Sequence, residues 1–322
     1  MDTPIMQHYI TKGILENFSV KRKKSFYIYV YDKEGNIYNP NINNVAKIRN
    51  FYTFDNNGVK DYSIEERFAD IENKFINIIK KINYNNLFEF TEDEKSSIYL
   101  FIALQYTKTP TFRNFLQNAY SEQTKEIFSQ IASFKNFDEV YKGIMKNGDK
   151  NTILKVRNKL KNKKYGLEYD QGDLVKSSLE YAINLYPVLL NKNIQILRVL
   201  NNQYFFLSDN PILLVKKYGD VYKQSSGLEK SNLIFPIGNH HSLYLSIKDD
   251  PNTPQLIHIS KNELRAINNI SINIAEKYIY SSIKKDEISK NLIKNKNKNK
   301  FNLSTIGISE TERIIKFETN NI

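Results

Sequence analysis

The spacing of apolar residues divides this chain into stretches of different secondary structure. The segment "SFYIYVYDKEGNIY" (25–38) has two runs of β-branched and aromatic residues around a turn, which predicts a β-hairpin. From residue 63 to about residue 191, apolar residues recur at helical spacing. Strand-like runs return over 194–248, and 261–282 is again helical in pattern. This order predicts an α+β fold with an N-terminal hairpin, a central helical region, mainly antiparallel C-terminal strands and a closing helix.

Residues with capping chemistry mark where the central helices begin. Ser63 with Glu66, and Thr91 with Glu94, have the spacing of a capping box. The second helical pattern runs to Pro110, which has no N–H to donate and disfavours helical geometry at the preceding residue. We therefore expect helices to start at Ser63 and Thr91, with a kink or an end at Pro110.

The C-terminal part differs in composition from the rest of the chain. The stretch "KNLIKNKNKNKFN" (290–302) alternates Lys and Asn, a low-complexity pattern that predicts mobile chain. No internal repeat is visible, and 322 residues suffice for one large core. We therefore expect a single α+β domain over 1–285, followed by a Lys/Asn-rich segment and tail over 286–322.

Charge and residue usage bear on partners and location. A formal charge of +12 and a pI near 9.3 favour nucleic acid as a partner. Only eight of the 47 basic residues are Arg, however, and Lys, Asn, Ile and Tyr are the residues that A/T-rich codons supply. The absence of Cys excludes disulfides, thiolate metal sites and a Cys nucleophile. The chain shows neither a secretory signal nor an apolar run long enough for a membrane span, so we expect a cytoplasmic protein without a membrane partner; its oligomeric state is open.

Two carboxylates of the first predicted helix lie on the same side of it. Glu65 and Glu72 are seven residues apart, and at about 100° per residue both border the apolar stripe. Two interpretations are open. Either the pair reaches into a cleft, where it shares a metal ion or divides acid and base work, or it lies on a solvated helix flank.

Polar residues also gather around Pro110 in "QYTKTPTFRN". Arg113 offers a bidentate fork and Lys108 a point charge, which together suit an anion. Alternatively, Gln105 and Arg113 satisfy backbone carbonyls that the helix break leaves without partners.

Two further candidates lie near the chain start and within "FLSDNP". His8 has the chemistry of a proton shuttle, a metal ligand or a hydrogen-bonded packing residue. Ser208 and Asp209 precede Pro211 and favour a turn. The competing interpretation places Asp209 at the end of a buried strand, from which it projects into a site. No nucleotide-binding or catalytic signature settles the choice.

Several of these stretches occur in an order that resembles a bacterial family, domain of unknown function 4238. They include "QHYITKGILENFS", "EERFADIE", "FIALQYTKTPTFR" and "FLSDNP", and the similarity runs from about His8 to Tyr280. The family's paired glutamates correspond to Glu65 and Glu72, and its Ser-Asp-x-Pro stretch begins at Ser208. In its Gln-x-x-Arg-Thr-Pro-x-x-Arg stretch this chain has Lys108 at the first Arg, and Thr11 stands where the family usually has Pro. The resemblance implies a site built from distant segments, but no activity.

Our leading hypothesis is a metal-assisted phosphodiesterase, a nuclease acting on RNA or DNA in phage defence or as a toxin effector. It assigns roles to eight residues: the ligands of Mg²⁺ or Mn²⁺ and catalytic carboxylates Glu65, Glu72 and Asp209, the general acid or base His8, and the substrate-binding Gln105, Lys108, Arg113 and Ser208. The alternative is a non-catalytic sensor or binding module for nucleic acid or a phage protein. A third hypothesis, an enzyme acting on a small nucleotide or nucleoside, requires an aromatic-lined pocket.

Overall fold

The computed structural model describes residues 6–56, 59–144, 149–219, 221–247 and 254–296. The helices of these residues are α1 (Lys12–Asn17), α2 (Ser63–Asn85), α3 (Glu92–Thr107), α4 (Pro110–Ile131), α5 (Phe137–Ile144), α6 (Lys150–Lys161), α7 (Gln171–Leu190), α8 (Lys261–Ile274) and α9 (Asp286–Asn295), with a 3-10 helix at Ile42–Asn44. The strands are β1 (Met6–His8), β2 (Val20–Arg22), β3 (Ser25–Tyr27), β4 (Tyr29–Asp32), β5 (Ile37–Tyr38), β6 (Lys47–Arg49), β7 (Phe54–Asn56), β8 (Val59–Asp61), β9 (Lys192–Arg198), β10 (Leu207–Ser208), β11 (Leu213–Tyr218), β12 (Val221–Gln224), β13 (Asn232–Pro236), β14 (His241–Ile247), β15 (Leu256–His258) and β16 (Tyr278–Ser281). None of these helices is both long and apolar enough to cross a lipid bilayer.

The strands form two larger sheets and three two-stranded ribbons. The six-stranded sheet has the order β12-β11-β13-β14-β9-β15, and its pairs are antiparallel except the parallel β9–β15 pair. The four-stranded sheet, β10-β16-β4-β5, joins C-terminal strands to the predicted N-terminal hairpin β4–β5. The ribbons are β1–β6, β2–β3 and β7–β8. The predicted α+β fold is confirmed.

Aromatic rings join the long helices to the six-stranded sheet. Phe75 of α2 and Phe101 of α3 stack with their ring centroids 3.8 Å apart. Phe235 of β13 lies 6.0 Å from the first ring and 6.2 Å from the second. All three side chains are buried, so this stack packs α2 and α3 against β13 in the core.

One of the two predicted capping boxes is present in the structure. Thr91 and Glu94 exchange side-chain and backbone hydrogen bonds of 3.1 and 3.2 Å, which confirms that box. The box predicted at Ser63 is wrong, because α2 is preceded by Tyr62 and has no side-chain cap. The carboxylate of Asp61 accepts the Ser63 N–H at 2.8 Å instead.

The helix end predicted at Pro110 is confirmed. Helix α3 stops at Thr107, and Pro110 is the first residue of α4, where its missing N–H costs nothing. The Thr109 side chain accepts the Phe112 N–H at 3.2 Å and caps the new helix.

The C-terminal assignments need three corrections. The helix predicted over 261–282 ends at Ile274, and β16 occupies Tyr278–Ser281 because β4 supplies its backbone partners. The strand predicted over 203–208 is limited to β10. Residues 290–295, predicted as mobile, form the end of α9.

Helix α9 is held by its own apolar face. Ile288 and Leu292 are buried in a cluster with Tyr31 and Ile279. The low-complexity residues 297–302 lie outside the described part of the chain. The division into a domain over 1–285 and a tail over 286–322 stays a prediction.

A buried histidine in β14 is expected to make stability fall in mild acid. The Nδ1 of His241 lies 3.0 Å from Asn83 Oδ1, and burial, then Arg198 and His240, lower the pKa of His241 to about 4. In the unfolded chain a histidine has a pKa of about 6.5. Between about pH 6.5 and about pH 4, unfolding is therefore accompanied by proton uptake at His241. The free energy of unfolding decreases as the pH falls through this range. Relative to His241→Phe, we expect the wild-type free energy of unfolding to fall by up to about 1.4 kcal/mol per pH unit. Urea unfolding near pH 7.5 and near pH 5 measures the difference, and a difference independent of pH would contradict the assignment.

Candidate functional site

A buried glutamine on β1 joins the N-terminal strands to α2. Gln7 is 1% exposed, and its Nε2 donates to a carboxylate oxygen of Glu65 at 2.9 Å and to Thr53 Oγ1 at 3.3 Å. Its Oε1 accepts the backbone N–H of Tyr52 at 2.6 Å. Glu65, a predicted metal ligand, therefore serves in this structure as the acceptor for a buried amide.

The lysine two residues before Pro110 is buried against the same tyrosine. Lys108 is 7% exposed and forms an ion pair with Glu72 of α2. Its Nζ lies 5.3 Å from the ring centroid of Tyr52 and 5.2 Å from that of Phe68. The Tyr52 hydroxyl donates to the Lys108 carbonyl at 2.7 Å. The ion pair and the ring faces offset the loss of hydration that burial of this ammonium group entails.

His8 follows Gln7 on β1 and lies within electrostatic range of Lys108 and Glu72. Burial lowers the pKa of His8, and a hydrogen bond with the Ile42 backbone opposes this only in part. Its Nε2 is buried without a hydrogen-bond partner among the described residues. The ring is therefore neutral near pH 7, the state from which an imidazole accepts a proton.

The polar residues on either side of Pro110 bind backbone carbonyls of the N-terminal region. Gln105 Nε2 donates to the Tyr9 carbonyl at 2.8 Å. Arg113 donates from one Nη to the Phe51 carbonyl at 2.7 Å, with its guanidinium carbon 3.8 Å from the Phe51 ring centroid. Burial lowers the pKa of Arg113 to about 10. The alternative prediction, that Gln105 and Arg113 satisfy carbonyls freed by the helix break, is wrong, because the carbonyls that they bind belong to other segments.

Asp209 holds the turn between α8 and β16. Its carboxylate accepts three backbone N–H groups, those of Glu276 at 2.8 Å, Lys277 at 2.7 Å and Tyr278 at 2.9 Å. The residue is 3% exposed, and burial raises the pKa of Asp209 to about 6 although the three amides act to lower it. Asp209 is thus a buried hydrogen-bond acceptor that fixes the backbone of this turn.

Ser208 has the local role that its sequence predicts. Its Oγ accepts the backbone N–H of Asn210 at 3.0 Å, which shapes the turn before Pro211. The same Oγ lies 3.5 Å from Asp209 Oδ1.

A pair of tyrosines connects the residue that follows β1 to the C-terminal strand β16. The hydroxyl oxygens of Tyr9 and Tyr280 are 3.0 Å apart, and burial raises the pKa of both phenols. Asp209 lies within electrostatic range of both rings. Both phenols are therefore neutral hydrogen-bonding groups at physiological pH.

A cavity of about 740 Å³ lies beside these tyrosines. Its walls come from Tyr9, which follows β1, from β4, β5 and β6, from the first turns of α4, and from β16 with the turn before it. Its aromatic lining residues are Tyr9, Tyr38, Phe51, Tyr278 and Tyr280. Of the eight residues singled out from the sequence, Arg113 and Asp209 line it.

The cavity walls carry three cations, Lys47, Arg113 and Lys277, and three carboxylates. Two of the carboxylates are occupied by the protein, since Asp209 accepts three amides and Asp32 accepts two bonds from Asn36 and one from Tyr38. Burial acts to raise the pKa of Asp32, but these hydrogen bonds outweigh it and hold the pKa below its ordinary value. These hydrogen bonds occupy the oxygen atoms of the two carboxylates but leave their negative charges in the cavity wall.

A family described as "protein of unknown function (DUF4238)" matches residues 6–285. The chain belongs to this family. No curated protein and no solved structure matches the chain significantly. The DUF4238 match contains every residue that lines the cavity, together with the hydrogen-bonded residues around Gln7 and Tyr52.

The DUF4238 motifs that are far apart in sequence meet in the structure. Five of the eight predicted residues contact or adjoin Gln7, Tyr9 or Tyr52, namely His8, Glu65, Gln105, Lys108 and Arg113, and Glu72 is paired with Lys108. Asp209, with Ser208 beside it, reaches this group through Tyr9. That these segments form one functional site, as the resemblance implies, stays a prediction.

The three carboxylates proposed as metal ligands have separate partners. Glu65 bonds to Gln7, Glu72 to Lys108, and Asp209 to backbone amides. Among the residues that the structure describes, no three His, Cys, Asp or Glu side chains are grouped as metal ligands would be. Binding of Mg²⁺ or Mn²⁺ by these DUF4238 residues stays a prediction.

Several residues of the site were missed by sequence reasoning. Tyr9 and Gln7 adjoin His8 in "QHY", and that adjacency is the signal that could have found them. No sequence signal distinguishes Lys47 and Lys277 from the many other lysines of the chain.

Proposed function

We propose that the cavity binds a small nucleotide, a ligand that joins an aromatic ring to a phosphate. The observation that supports this most directly is that aromatic rings and the three cations Lys47, Arg113 and Lys277 line the same cavity. A volume of about 740 Å³ lies within the range of ligand pockets, which are typically aromatic or apolar with a few placed polar groups.

Arg113 and the start of α4 form the end of the cavity that suits a phosphate. One Nη of Arg113 is engaged with the Phe51 carbonyl, and a guanidinium group has five donors, so others remain for a ligand. Pro110 and Asn114, which also line the cavity, belong to the first turns of α4, where the helix dipole favours negative charge. Lys47 adds a cation that forms no ion pair within the described part of the chain.

The remaining walls suit a flat ring. Tyr278 and Tyr280 have ring centroids 6.4 Å apart, and Phe51 carries the Arg113 guanidinium on its face. Aromatic side chains stack on nucleobases with little dependence on the base. Glu276 and Asn44 supply polar groups for the base edge or for sugar hydroxyls.

The nuclease hypothesis, the binding module for nucleic acid or a phage protein, a role in phage defence and a cytoplasmic location stay predictions. The cavity favours the third hypothesis, because it supplies the aromatic lining that a nucleotide or nucleoside requires. A nuclease would have to cleave a strand as well as recognise its phosphates, and His8, whose buried Nε2 has no partner among the described residues, is not one of the residues that line the cavity. Incubation of RNA and DNA with Mg²⁺, with Mn²⁺ and with EDTA tests this addition.

Calorimetric titration with adenosine monophosphate, adenosine and inorganic phosphate tests the proposed function. We expect the nucleotide to bind, and Arg113→Met and Lys47→Met each to weaken it about tenfold or more, since each removes a charged hydrogen bond. Arg67→Met and Lys176→Met, at exposed positions on α2 and α7, are the matched controls. Thermal melting confirms that each variant is folded. Failure of all three ligands to bind the folded wild type, or equal weakening by the controls, would contradict the proposal.

A further inference from the structure

A second groove, of about 810 Å³, lies between α8, α9 and the chain before β10. We propose that this groove binds single-stranded nucleic acid by its phosphate backbone. The proposal does not depend on the nucleotide site, because the two sets of lining residues have no member in common.

The charge of the groove is strongly one-sided. Lys261, Arg265, Lys285 and Lys290 line it, against the single carboxylate of Glu287 among the described lining residues. All four cations are exposed, and within the described part of the chain none forms an ion pair. The first cavity, in contrast, has as many carboxylates as cations. Unpaired cations along a groove are the arrangement that attracts a polyanion.

The cations come from two helices and form a track. Lys261 and Arg265 are four residues apart on α8, so they lie on one face of that helix. Lys290 lies on α9 and Lys285 immediately precedes it. An extended strand with a charge on every nucleotide can contact both helices, whereas an isolated phosphate uses only one or two of these groups.

The floor of the groove is fixed before any ligand arrives. Asn268 of α8 donates to the Tyr204 carbonyl at 2.9 Å and accepts the Phe206 N–H at 3.0 Å. The Tyr204 ring lines the groove and lies 5.2 Å from the His240 ring. An aromatic ring beside a cationic track is the combination that single-strand binding proteins use to stack bases, whose faces a duplex would hide.

Fluorescence anisotropy with labelled single strands of RNA and of DNA tests the proposal, with a duplex and polyphosphate for comparison. We expect single strands to bind more tightly than either comparison ligand. Lys261→Ala/Arg265→Ala should weaken binding about tenfold or more, and the slope of log affinity against log salt should become shallower by about 1.4 for two lost phosphate contacts. Tyr204→Leu should weaken binding about tenfold without changing the slope.

The control Lys80→Ala/Lys176→Ala removes the same charge from exposed positions on α2 and α7. Equal losses in the groove and control variants would show that only net charge matters and would overturn the proposal, as would equal affinity for polyphosphate. Arg113→Met separates the two sites. It should leave strand binding unchanged while nucleotide binding is weakened about tenfold or more, and a loss of strand binding in Arg113→Met would also contradict the groove as the site.

Discussion

Asp209→Ala is expected to lower the free energy of unfolding by about 3–5 kcal/mol. The carboxylate of Asp209 accepts three backbone N–H groups in a site that is 3% exposed. Alanine offers these donors no acceptor, so three backbone N–H groups of the turn lose their hydrogen bonds. The turn that they hold carries Glu276 and Tyr278 into the cavity, so ligand binding is expected to be lost as well.

Urea unfolding near neutral pH measures this effect, and two variants serve as controls. Asp209→Asn keeps one acceptor oxygen and should lose less stability than Asp209→Ala. Asp70→Ala, at an exposed position on α2, should stay within about 0.5 kcal/mol of the wild type. Native-like stability of Asp209→Ala would show that the three amides find other partners and that Asp209 does not hold the turn.

Lys108→Met is expected to destabilise the protein by about 3 kcal/mol. The change removes an ammonium group that is 7% exposed, and it leaves the Glu72 carboxylate without its cation. The side chain of Glu72 is 23% exposed, so water recovers only part of the lost interaction. Methionine keeps most of the volume between Tyr52 and Phe68, which separates the loss of charge from the loss of packing.

A double-mutant cycle with Glu72→Gln isolates the pair. We expect a coupling free energy of about 1–3 kcal/mol, because substitution of either partner alone leaves the other buried without its counter-charge. The exposed pair Lys95–Glu92, with an N···O distance of 2.7 Å, is the matched control and should couple by at most about 0.5 kcal/mol. A Lys108–Glu72 coupling no larger than that of the surface pair would contradict the description of Lys108 as a buried structural cation.

The fold was predictable where local chemistry decides it. Helical spacing located α2, α3 and α7, and the helix end at Pro110 followed from the missing N–H. The segment after Ile274 was not predictable, because its apolar spacing continues the helical pattern while β4, far away in sequence, supplies the backbone partners that make it a strand. The same error hid the amides that Asp209 binds.

Two of the residues that line the cavity, Arg113 and Asp209, were singled out from the sequence, but the geometry of the cavity was not predictable. The motifs also selected Glu65, Glu72, Gln105 and Lys108, which do not line the cavity; Glu65 binds Gln7, Glu72 and Lys108 pair with each other, and Gln105 binds the Tyr9 carbonyl. Their roles depend on which partner each side chain meets, and sequence spacing contains no information on that. The walls of the cavity come from segments that are distant in the chain, so local sequence patterns could not predict its shape.

Photo-crosslinking with an azido derivative of adenosine monophosphate, followed by peptide mapping, tests most directly whether the cavity is a nucleotide site. The predicted result is labelling of the cavity walls at 44–51 and 276–280, competed by unlabelled nucleotide and lost in Arg113→Met. Labelling confined to 261–269 in the second groove, or labelling that unlabelled nucleotide does not reduce, would contradict it.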